Sequence, residues 1–128
     1  MPKGAHILSR FSKNITPFVN TEIELASQAR GGGNKSLEFQ HLENAHVIGQ
    51  ESTYWHVKVH VLMLLWSLRN SQPIEVFGQL LRIVGAAVTT AFGLGPKGNT
   101  GGTNVSPFKA MPIKPEFQTM INKAKSGQ

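Results

Sequence analysis

The sequence predicts an all-α protein: an antiparallel bundle of about four helices, followed by a Gly/Pro-rich extended C-terminal segment. Three observations carry this. Apolar residues recur at helical spacing in four successive stretches, without the period-two alternation of a strand. The breaks between the later stretches are short, which makes neighbouring helices antiparallel. The chain has no cysteine, so packing must hold it together, not disulfides or cysteine-bound metal.

The first helix is expected from about Thr16 to Arg30. Thr16 is a capable cap and Pro17 suits the first helical position. Phe18, Val19, Ile23, Ala26 and Ala29 keep helical spacing, and Gly31-Gly32-Gly33 ends the run. A second helix begins near Asn34 or Ser36 and reaches Gly49 or Gln50, with Phe39, Leu42, Ala45 and Gly49 in one stripe. A third runs from about Ser52 to Arg69. It is apolar all round between Val61 and Trp66, which predicts the most buried element. The fourth opens at Ser71-Gln72-Pro73 and reaches about Phe92, with Ile74, Phe77, Leu81, Val84, Val88 and Ala91 along one face. Beyond it, five glycines fall between Gly93 and Asn104, then Pro107, Pro112 and Pro115. This predicts a looped segment laid back over the helices by glycine turns, with Asn99 and Asn104 supplying turn hydrogen bonds and a last short helix from Pro115 to Lys125. The division expected is a basic N-terminal arm (1–13), a helical bundle (14–92) and a Gly/Pro-rich segment packed on it (93–128).

The formal charge of +6 and the pI near 10.0 invite a nucleic-acid reading. The distribution argues against it. Residues 1–19 carry Lys3, Arg10 and Lys13 and no acid. Residues 20–92 carry five basic and six acidic side chains, and residues 93–128 carry five lysines against Glu116. The excess sits in the two ends, with no interleaving of aromatic and basic residues. Val61 to Trp66 is far too short to span a bilayer, and the first twenty residues hold no apolar run of signal-peptide length. The expectation is a cytoplasmic protein with no membrane and no nucleic-acid partner, and with a homo-oligomer open.

The chemistry belongs to the near-neutral middle. Glu43, His46 and Gln50 share a face of the second helix, and His56, His60, Met63 and Ser67 share a face of the third. In an antiparallel hairpin turning near residue 51, His46 lies level with His56, and Glu43 with His60. Three imidazoles and a carboxylate so placed suit one divalent first-row metal ion, zinc or iron foremost. A bundle holding two iron ions would show two Glu-x-x-His steps, and this chain has one. Glu22 or Glu24 on the preceding helix could add a carboxylate or hold an imidazole N–H. Arg82 could hold a carboxylate or loop carbonyls. Read singly, each histidine is an ordinary core or surface residue. His41 is expected on the surface, His6 uninvolved, and Met63 and Trp66 in the core. The loop Gly98-Asn-Thr-Gly-Gly102 matches neither common nucleotide-binding glycine pattern.

Several of these motifs together resemble an uncharacterised bacterial family, domain of unknown function 3703. They are His41-Leu-Glu-Asn-Ala-His-Val-Ile-Gly-Gln50, His56-x-x-x-His60, Gly78-Gln-Leu-Leu-Arg82, Gly98-Asn-Thr-Gly-Gly-x-Asn-Val-Ser106 and Met111-Pro-Ile113. The resemblance covers about residues 14–120. It implies a soluble bacterial protein and a pattern that includes Glu43, His46, Gln50, His56, His60, Gln79 and Arg82, but no activity. The leading functional reading is a small metal-binding protein with Glu43, His46, His56 and His60 as ligands. Gln50, Glu24, Gln79 and Arg82 would support them. The alternatives are a metal-dependent enzyme with an open coordination position at the same site, and a metal-free interaction or dimerisation module.

Overall fold

A computed structural model describes residues 9–91, 98–106 and 109–127. Most of the N-terminal arm, with Lys3 and His6, lies outside the described residues. So do the expected helix end at Phe92, the glycine-rich stretch to Lys97, Pro107, and the side chain of Ala91. The described residues form five helices: α1 (Arg10–Gly31), α2 (Lys35–Gly49), α3 (Thr53–Arg69), α4 (Pro73–Ala91) and α5 (Pro115–Ser126). No strand occurs among the described residues, and no helix among them is long and apolar enough to cross a membrane.

Local chemistry accounts for most boundaries. The Asn34 side chain accepts the Leu37 N–H (3.0 Å) and caps α2. Ser52 does the same for α3 through the Trp55 N–H (3.2 Å). The Ser52 hydroxyl also meets that of Ser12, which ties the head of α3 to α1. α5 opens on Pro115 and closes on Gly127 at φ +85°.

α1 departs from expectation by starting six residues earlier, capped by Ser9, whose Oγ accepts the Ser12 N–H (3.1 Å). Thr16 is not a cap. Its hydroxyl donates to the Ser12 carbonyl (2.6 Å) and accepts from Trp55 Nε1 (2.9 Å). Pro17 therefore sits inside a helix, where it forfeits one backbone hydrogen bond. Ile15 and Val19 flank it, both fully buried, and their packing offsets that loss.

The core gathers Ile15, Val19, Leu42, Ala45, Ile48, Val59 and Met63 from α1, α2 and α3, and Phe117, Ile121 and Ala124 from α5. α5 packs on α1 and α2, so it forms a wall of the core. α4 differs from the bundle expectation: among the described elements it packs on α3 alone. Its apolar stripe, from Ile74 to Val88, is left 51–79% exposed. α3 is likewise buried on one face only, with Leu65 and Leu68 exposed on the other. Periodicity reports that a face is apolar, not what covers it. At the α2–α3 turn, a Cβ on Gly49 would stand 2.9 Å from Trp55 Cβ and 3.1 Å from Val19 Cγ2. Glycine there lets the end of α2 close onto the head of α3 and sets the histidine-bearing faces together.

Candidate metal centre

α2 contributes His46 from its buried last turns, and α3 contributes His56 and His60, one turn apart on its buried face. The ring centroids lie 4.8 Å (His46–His56), 4.7 Å (His46–His60) and 5.1 Å (His56–His60) apart. Their potential ligand atoms all fall within 4.8 Å of one another, an arrangement that could hold a metal ion. The expected two levels are replaced by one point of convergence. His46 reaches both rings of α3, and its Nε2 lies 3.1 Å from His60 Nε2.

The partners assign the protons. His46 Nδ1 lies 2.6 Å from the Asn99 carbonyl oxygen, which can only accept, so Nδ1 carries hydrogen. His60 Nδ1 lies 2.6 Å from Gln79 Oε1. The Gln79 amide has one workable orientation, because its Nε2 donates to Glu75 Oε2 (2.6 Å) and to the Gly101 carbonyl (2.9 Å). His60 Nδ1 is therefore also a donor. Each neutral ring is left with a bare lone pair on Nε2, and the two lone pairs face each other across 3.1 Å. Two acceptors at that distance repel unless a cation stands against both.

A proton is a poor candidate for that cation at neutral pH. Burial pulls His56 down to about 3, with the neighbouring His60 adding to the effect. His60 is lowered to about 4, chiefly by burial; the Gln79 hydrogen bond raises it, Arg82 lowers it and Glu75 raises it. His46 stands well below the ordinary histidine range through burial and its two histidine neighbours, against the opposing Asn99 hydrogen bond. All three rings are neutral near pH 7.

The glycine loop closes the site, in keeping with the turn role expected of it. Gly101 adopts φ +88°, and a Cβ there would stand 2.6 Å from His46 Cδ2, so only glycine lets the backbone lie against the ring. The Asn99 side chain accepts the Gly101 N–H (2.9 Å) and donates to the carbonyls of Ser106 (2.8 Å) and Lys109 (2.7 Å). These bonds leave its own carbonyl turned toward His46. Glu75 accepts the Thr103 hydroxyl (2.6 Å) and backbone N–H (3.2 Å), pinning the loop to α4. Arg82 Nη2 donates to the Val105 carbonyl (2.9 Å). Burial lowers the Arg82 pKa, and Glu75 opposes that shift.

The other expected residues fall as follows. Glu43, half-buried on α2, is not among the three whose ligand atoms converge. Burial and the nearby Glu75 raise its carboxyl to about 7. Gln50 is buried at the end of α2, and Glu24 is exposed on α1. Glu22 is buried and engaged elsewhere, bonded to His41 Nδ1 (2.8 Å) and Asn44 Nδ2 (3.0 Å). His41 is thus partly buried and paired, not a plain surface residue. Met63 is fully buried in the core, and the Trp66 indole donates to the Lys35 carbonyl (3.0 Å). Sequence reasoning missed Asn99 and Gly101 as neighbours of His46, and Glu75 as the anchor of Gln79. The loop's Gly and Asn content signalled a tight turn, but nothing local signalled where the Asn99 carbonyl would point.

A family model described as protein of unknown function (DUF3703) matches residues 13–121. No curated protein and no solved structure matches the chain.

Proposed function

Because the chain belongs to the DUF3703 family, whose description assigns no activity, we propose from the chemistry of the site alone that it is a metal-binding protein. One divalent first-row ion is held by His46, His56 and His60. The observation that carries this is the pair of Nε2 lone pairs 3.1 Å apart, on rings whose Nδ1 protons are committed to Asn99 and Gln79. Hydrogen bonds to the far nitrogen are how metal-binding imidazoles are oriented and kept basic. A site made of neutral nitrogen donors suits zinc and iron(II), and also accepts copper and nickel.

Three imidazoles leave a coordination position for a further ligand. Glu43, one turn before His46, is the proposed carboxylate at its edge, and Gln50 the proposed neighbouring polar group. Gln79 and Arg82 act from behind, by orienting His60 and the loop. A second reading, a metal-dependent enzyme at the same site, is favoured by the Glu43 carboxyl. Raised to about 7, it can take up and release a proton at neutral pH. A bound metal would supply Lewis-acid activation of a ligand in that position.

Zinc titration of protein made without a histidine tag and stripped by a chelator tests the proposal. The expected result is uptake of one equivalent per chain, with an affinity that survives competition by a chromogenic chelator. Substoichiometric uptake, abolished by mild competition, would overturn it.

A further inference from the structure

The apolar stripe of α4 is uncovered by the rest of the described chain. Ile74, Phe77, Leu81, Val84 and Val88 are each at least half exposed, and Leu68 of α3 lines a groove with Phe77 beside them. We propose that this surface is the seam of a homodimer, in which the α3–α4 pair of one copy packs on the same pair of a second copy. The stripe steps by three, four, three and four residues, the spacing with which apolar knobs enter the holes of a facing helix.

Size fits as well. Among the described residues, nine large apolar side chains of α3 and α4 stand exposed, a face of the kind that supplies one partner's share, about 800 Å², of a standard interface. Charge then selects the occupant. α4 contains one acid and one base, and both turn toward the loop: Glu75 onto Thr103 and Arg82 onto Val105. An amphipathic helix that lies on lipid carries lysines and arginines along its polar face, and α4 has none free for that. The α4 stripe itself carries no charge, and an uncharged stripe fits best against another, as two-fold pairing provides. Grooves at both ends of the α3–α4 contact, one lined by Leu68, Val76 and Phe77, the other by Val57, Val61 and Ala87 together with Lys58, give a partner's side chains places to enter. The histidines occupy the opposite, buried face of α3, so pairing does not depend on metal.

Light scattering after size-exclusion chromatography of the full chain, with and without chelator, reads the state. The expected mass is twice the 14.0 kDa chain in both conditions. Phe77→Glu combined with Leu81→Glu should raise the dissociation constant at least about 100-fold and give a monomer with unchanged helical circular dichroism, since both side chains are exposed. Val84→Arg serves as a second variant if the first fails to fold. A monomeric wild type would overturn the proposal, as would a dimer that persists in a folded variant. Recruitment of a monomeric wild type to anionic vesicles would assign the face to lipid instead.

Discussion

Replacing His46 with alanine should abolish zinc uptake, with an expected loss in affinity of more than about 100-fold. His46 is the one ring of the three that α2 supplies, 4.8 Å from His56 and 4.7 Å from His60 by centroid. Without it the remaining imidazoles lie on one helix and no longer enclose a point between two. Loss of groups that merely orient a ligand costs about 10–100-fold in metal affinity, so loss of the ligand exceeds that range. The substitution also leaves a cavity and strips the Asn99 carbonyl of its donor, which destabilises the fold by about 2–3 kcal/mol. Two comparisons keep the metal effect separate from that damage. His56→Ala should lose zinc as well. His41→Ala, a histidine on the same helix bonded to Glu22 instead, should keep full uptake. Competition titration of the three folded variants makes the measurement, with circular dichroism as the control. Wild-type affinity in His46→Ala would refute the assignment.

Metal-free protein should lose stability steeply as pH falls below about 6.5. Unfolded histidines take up protons near that value. The folded rings resist until about 4 for His60 and about 3 for His56, and His46 resists strongly too. Between those limits the unfolded state binds more protons, so stability is complete above about 6.5 and drains away on acidification. Each proton taken up on unfolding contributes a limiting slope of about 1.4 kcal/mol per pH unit. Glu43 works in the opposite sense. Raised from 4.5 to about 7, it adds stability at low pH that is lost as pH rises through 7. One carboxyl opposes three imidazoles, so the net slope follows the histidines. Melting temperatures in chelator between pH 7.5 and 5 should therefore fall (these limits are set by the histidine range near 6.5). His56→Leu should flatten the fall and Glu43→Gln should steepen it. A melting temperature that does not change across this range would contradict the burial of neutral imidazoles.

The helices, and the residues at their caps, were readable because their signals are local. Asn34, Ser52 and Pro115 sit within four residues of the groups they cap or start. The start of α1 was hidden because Thr16-Pro17 imitates a helix entrance. The hydroxyl that would have capped there is taken by Trp55, 39 residues away. The α4 stripe showed its amphipathic face but not that, among the described helices, only α3 would pack on α4. Helical spacing put His46, His56 and His60 on facing surfaces, which was enough to name them together. It could not show that the close fit at Gly49 would bring His46 against both α3 rings, nor that Glu43 would stand outside the convergence. The hydrogen bond from His46 Nδ1 to the Asn99 carbonyl spans 53 residues, and its geometry depends on the turn at Gly101. No short-range pattern encodes either.

X-ray absorption at the zinc edge, recorded on zinc-loaded wild type and on His56→Ala, tests the three-imidazole assignment most directly. The wild type should show three imidazole nitrogens at about 2.0–2.1 Å, and any metal retained by the variant should show fewer. A wild-type spectrum dominated by oxygen ligands, or one identical in His56→Ala, would contradict it.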